Sequence, residues 1–140
     1  MTVAAHFADF LQTRSWRADE LRASGGARSR YTLLSSLTFV SAVHGPITAP
    51  AGMETDFASI PRFAFGYIAP DDPAIEYASV IHDFLYNIRG ALQQDRAPLT
   101  RQQCDAVLRE AMLASGARPA QAAVVYSIVR IFGGSHWKEE

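Results

Sequence analysis

A histidine and an aspartate stand side by side at His82-Asp83, with Tyr86 shortly after, inside a run that otherwise reads as buried helix. On a helix His82 and Tyr86 are i and i+4 and project from one face, while Asp83 is rotated by about 100° to one side. Asp105 falls on the next predicted helix. Helices joined by a loop tend to run antiparallel, which sets Asp105 opposite His82. A carboxylate beside an imidazole fixes its tautomer and favours its taking up a proton, as a general base acting on water requires. Asp83 is then left as a ligand for a hard cation, and Asp56 is a second acid able to face the same groove.

Each of these residues also has a bland reading. Asp105 has Arg109 at i+4, a pairing that at a surface is worth only tenths of a kcal/mol. Asp83 is equally suited to bonding a loop amide or pairing with Arg89. Asp56, in Thr55-Asp56-Phe57-Ala58-Ser59-Ile60-Pro61-Arg62, is a natural cap for the turn before Pro61. Tyr86 fits a core position with its hydroxyl at the edge. Cys104 lies on an apolar stripe and reads as a small buried hydrophobe. His136 needs no ligand role, and Trp137 is expected to pack back over a helix end. Spacing alone favours these structural readings; the convergence of several separated polar motifs on one helix favours chemistry.

The elements that must hold these groups follow from periodicity. Tyr31 to Val43 reads as strand, His44-Gly45-Pro46 as a turn and Ile47-Thr48-Ala49 as a short strand, together an antiparallel hairpin or small sheet. Asp71 or Asp72 caps a helix with Pro73 at its first position and Ile75, Ala78, Ile81, Leu85 and Ile88 facing a core, fading at Gly90. Thr100-Arg101-Gln102-Gln103 matches a capping box, opening a second helix with Cys104, Val107, Leu108, Ala111, Met112 and Leu113 on its apolar stripe, ended by Gly116. Pro119 opens a third through Ala122, Val125, Ile128, Val129 and Ile131. The expected fold is α+β: one domain, with a little-readable stretch at 1–30, a β-rich part at 31–60 and a helical part at 61–137. In the first stretch, Phe7, Phe10, Leu11 and Trp16 fit an amphipathic helix, and 10–16 fits an alternating strand equally well.

Composition narrows the function classes. The 140 residues are 49% hydrophobic and 19% charged, with a formal net charge of −1, so no basic footprint for nucleic acid or a membrane surface is present. One cysteine supports no disulfide framework and no cysteine-based zinc cluster. No uncharged apolar run is long enough to cross a bilayer, and no signal-peptide pattern opens the chain. The expectation is synthesis and folding in a cytoplasm. Glycine-rich phosphate loops, Gly-x-Ser-x-Gly and His-Glu-x-x-His are absent.

Taken together, Pro50-Ala51-Gly52, the stretch 55–62, His82-Asp83-Phe84-Leu85-Tyr86, Asp105 with Ala111-Met112, and Phe132-Gly133-Gly134-Ser135-His136-Trp137 resemble the bacterial and phage family known as domain of unknown function 1353. The resemblance covers about Tyr31 to Trp137. It implies a phage or prophage setting without fixing an activity. A second resemblance is mechanistic: His82-Asp83-x-x-Tyr86 followed by Cys104-Asp105 is similar to secreted phospholipase A2. That likeness implies His82 as base, Asp83 as calcium ligand, Asp105 as the group orienting the histidine, and Tyr86 in support. The chain departs from that family in lacking its disulfides and its glycine-rich calcium loop, which makes this an analogy of geometry. Two functions follow as expectations. One is a small hydrolase of an ester or amide in a host envelope or virion component, made in the host cytoplasm, with a cation (calcium before zinc) at Asp83 and Asp56. The other is a non-enzymatic tail component that assembles with other virion proteins, its polar cluster serving as a folding lock. The apolar Phe63-Ala64-Phe65-Gly66-Tyr67-Ile68 and Trp137 would suit a partner surface.

Overall fold

The computed structural model describes residues 4–23, 25, 30–55 and 73–137. Within these, short antiparallel strands precede three longer helices, the α+β order expected. The strands are β1 (His6–Phe7), β2 (Thr13–Ser15), β3 (Tyr31–Leu33), β4 (Leu37–Ser41), β5 (Gly45–Ala49) and β6 (Glu54–Thr55), with a short helix α1 (Ala18–Ala23) between β2 and β3. The helices are α2 (Pro73–Asn87), α3 (Arg101–Ala114) and α4 (Pro119–Phe132), followed by a 3-10 turn at Gly133–His136.

The strands form two sheets where one was expected. One has the order β1-β4-β5 and the other β2-β3-β6, all pairs antiparallel. The run 31–43 is therefore not a single strand. It breaks into β3 and β4 at a bend over Leu34-Ser35-Ser36, and each piece pairs in a different sheet. The hairpin turn also falls two residues earlier than expected, at 42–44, so Gly45 (φ +79°) and Pro46 already belong to β5. Ser41 and half-buried Glu110 brace this turn. Glu110 accepts from Ser41 Oγ at 2.6 Å and from Ala42 N at 2.9 Å, while the Ser41 hydroxyl oxygen accepts from His44 N at 3.1 Å.

Alternation along β4 and β5 buries Leu37, Phe39, Ile47 and Ala49 against the helices. The first stretch docks there too. Phe7 lies 5.0 Å from the Phe39 ring and edge-on to Tyr77 at 5.1 Å, and Tyr77 Oη accepts from Leu11 N at 2.9 Å.

The helices bury the faces their periodicity predicts. Ile75, Ala78, Ile81 and Leu85 of α2, Cys104 to Met112 of α3, and Ala122, Val125 and Val129 of α4 form one core. Two expected members face outward instead: Leu113 is 40% and Ile131 72% exposed, each lying at the margin of its stripe. The Thr100–Gln103 capping box and Pro119 at the start of α4 are as expected. Both α2 and α3 end in Schellman geometry. After α3, Gly116 takes the left-handed position (φ +98°), with Ala117 N bonded to Met112 O at 2.9 Å. After α2 that position is held by Arg89 (φ +50°), a conformation that costs a non-glycine residue about 1–2 kcal/mol. The expected Asp71 or Asp72 cap, the Phe63–Ile68 surface and Asp56 lie outside the described residues.

Candidate functional site

The facing of α2 and α3 decides the site. His82 and Tyr86 lie one turn apart on α2 and both reach the same carboxylate, that of Asp105 on α3. His82 Nε2 stands 2.7 Å from Asp105 Oδ1, and Tyr86 Oη donates to the same oxygen at 2.5 Å. The two rings lie 4.2 Å apart, centroid to centroid. Both His82 and Asp105 are 0% exposed.

Two arginines complete the shell. Arg130, in the last turn of α4, donates from Nη1 to Asp105 Oδ2 at 2.8 Å. Arg101, one turn before Asp105, places Nη1 at 3.7 Å from Oδ2 and 3.3 Å from Tyr86 Oη. Its guanidinium also donates to Val129 O (3.3 Å) and Arg130 O (2.9 Å), satisfying carbonyls at the end of α4. Beyond this end, Trp137 folds back edge-on to Tyr86 at 5.2 Å, as expected of it. Gly133 makes this closure possible: a Cβ there would meet Tyr86 Oη at 3.1 Å and Val129 Cγ1 at 3.2 Å.

The electrostatics follow from these contacts. Burial pushes the Asp105 carboxyl up, but hydrogen bonds from His82, Tyr86 and Arg130 outweigh it and hold the group below the usual carboxylate range. Burial raises the Tyr86 phenol, and the hydrogen bond to Asp105 raises it further, so the hydroxyl stays a donor. Burial likewise pushes the neighbouring Cys104 thiol up to about 12, which removes it as a nucleophile. No buried side-chain nitrogen or oxygen among the described residues lacks a hydrogen-bond partner.

His82, Asp105 and Tyr86 are therefore brought together. The surface pairing of Asp105 with Arg109 is overturned: Asp105 is buried, its partners come from α2 and α4, and Arg109 is exposed. Asp83 points elsewhere, with Oδ2 accepting from buried Thr55 Oγ1 at 2.7 Å and so tying β6 to α2. Asp56, its expected companion at a cation, lies outside the described residues. A calcium ion takes 6–8 oxygen ligands. Among the described residues no group of three or more His, Cys, Asp or Glu side chains is placed to hold a metal. Asp83 alone does not fit such a shell, and no step below is routed through a cation.

Arg130 and Arg101 are the members that sequence reasoning missed. Arg101 stands at i−4 from Asp105, a spacing as visible as that of Arg109. Arg130 carries no such local signal, because it reaches Asp105 from another helix.

A buried histidine oriented by an aspartate, with a tyrosine and an arginine fixing that aspartate, defines a class: small α+β proteins with a helix-borne His–Asp pair. The model of the family Protein of unknown function (DUF1353) matches residues 31–129, and the chain belongs to that family. No curated protein and no solved structure matches it. Among the described residues, no helix is long and apolar enough to cross a membrane.

Proposed function

We propose that the protein is a small hydrolase in which His82 is the general base. The observation that carries this reading is the bond from Asp105 to His82 Nε2, made by a carboxylate that Tyr86 and Arg130 hold in turn. Asp105 holds the Nε2 proton, which leaves the lone pair on Nδ1. His82 makes a further contact besides those to Asp105 and Tyr86, and in this reading an attacking water takes a place at Nδ1 and gives it the proton. The water oxygen bonds to the carbonyl carbon of an ester or amide. The imidazolium formed is stabilised by Asp105, and its new proton then passes to the leaving oxygen or nitrogen as that bond breaks. Tyr86 and Arg130 are positioning residues that keep the carboxylate ionised and aimed. In this reading the setting is a phage or prophage, as the family resemblance implies, and the substrate is an envelope or virion component.

The complete burial of His82 and Asp105 favours a second reading, in which the same cluster is a lock between three helices in a non-enzymatic tail component. Turnover separates the two. The full chain is screened against carboxylic esters, phospholipid vesicles and peptide amides, beside His82→Gln, whose amide can still bond to Asp105. Hydrolysis that falls by about 100-fold or more in a folded His82→Gln supports the base. Hydrolysis unchanged in His82→Gln, or none by the wild type, leaves the lock.

A further inference from the structure

On the face of α2 turned away from Asp105, the β4–β5 hairpin tip and the loop between α2 and α3 line an open cavity of ≈ 220 Å³. It is contiguous in lining with a smaller one of ≈ 80 Å³, and the two share His44, Leu92, Gln93 and Arg96. Phe84 helps to line it, two residues beyond His82 and so about 200° around the helix. The cavity is therefore separate from the His82–Asp105 pair, and the inference drawn from it stands whether or not His82 is a base.

Both walls are braced by hydrogen bonds. The hairpin tip is fixed by Glu110 through Ser41 and Ala42. The loop is closed at its base, where Gly90 O accepts from Leu92 N and from Leu99 N, each at 2.9 Å. The backbones pass so closely there that a Cβ on Gly90 would strike the Leu99 backbone. Into this preformed space face Arg96, Gln93 and His44, whose side chains make no hydrogen bond or ion pair among the described residues. Phe84, Leu92 and Pro46 supply the apolar part of the lining. Among the described residues, no acidic side chain lines either cavity.

We propose that this cavity binds a small organic carboxylate, its charged end held by Arg96 with Gln93 and His44, and its hydrocarbon body seated on Phe84, Leu92 and Pro46. A guanidinium presents a planar fork that matches a carboxylate with two parallel hydrogen bonds. One arginine with two adaptable donors suits a monoanion, and the apolar wall disfavours a bare inorganic ion. The volume takes a single ring or a short chain, below the roughly 300–1,000 Å³ of pockets for larger ligands.

The test is an NMR titration of the 15N-labelled full chain with benzoate, benzyl alcohol and inorganic phosphate. The backbone amides of His44, Leu92 and Gln93 and the Arg96 side-chain N–H are followed. Benzoate is expected to give saturable shifts at these positions, with binding at least about tenfold weaker for the neutral alcohol and for phosphate. Arg96→Gln, a change at an exposed side chain, removes benzoate binding while leaving the rest of the spectrum in place. No saturable shift with benzoate, or unchanged binding in Arg96→Gln, overturns the proposal. Phosphate or benzyl alcohol binding as tightly as benzoate overturns it equally, since the site would then not read both ends of the ligand.

Discussion

The two oxygens of Asp105 divide their work. Oδ1 faces His82 and Tyr86, and Oδ2 faces Arg130, with Arg101 farther off. A carboxylate taken this far out of water survives ionised only because each oxygen is met by donors. Removing the charge should therefore cost more than a surface pair would. Asp105→Asn is expected to lower stability at neutral pH by about 3 kcal/mol or more, read from chemical unfolding. The pH dependence has a definite sign. Because the folded carboxyl is held below its ordinary value of 3.8, its contribution is complete above that value. It is lost as pH falls through the depressed folded value. The stability gap between wild type and Asp105→Asn should thus be constant near neutrality and narrow below about pH 4. A gap that widens in acid would mean that Asp105 is not the stabilised group described here.

At the scale of elements, the site depends on how α2, α3 and α4 are ended as much as on their faces. Gly90 lets the chain leave α2 in a left-handed turn (φ +75°) and pass against Leu99, delivering Thr100 to cap α3. Gly90→Ala should cost well over about 1 kcal/mol, since it adds both the left-handed penalty and a backbone collision. Thermal unfolding would check this, and a variant as stable as the wild type would contradict the close approach. This is also where legibility from sequence divides. The i, i+4 spacing of His82 and Tyr86, the capping box and Pro119 are local signals, and the helices with their site face could be read from them. The break between β3 and β4 could not, because Leu34 to Ser36 interrupts the apolar pattern no more than a strand tolerates. Nor could Arg130, whose role exists only once α4 packs beside α3.

At the scale of the whole molecule, two contacts converge on α2 and a third on its neighbour α3. The first stretch docks through Phe7 and Leu11 onto Tyr77, the β4–β5 hairpin is pinned to α3 by Glu110, and Trp137 closes over Tyr86. Such convergence serves a lock and a catalytic pair alike, so the distinction lies in whether a reactant reaches the imidazole. Diethyl pyrocarbonate acylates an unprotonated ring nitrogen that it can reach. His6 and His136 are exposed and provide internal standards within the same chain. The native protein, treated with this reagent and mapped by mass spectrometry, gives the most direct test of His82 as a base. The account predicts that His82 is modified while the protein stays folded, more slowly than His6 and His136. Modification of His82 only after unfolding would contradict it, and would leave the cluster as the bolt between three helices.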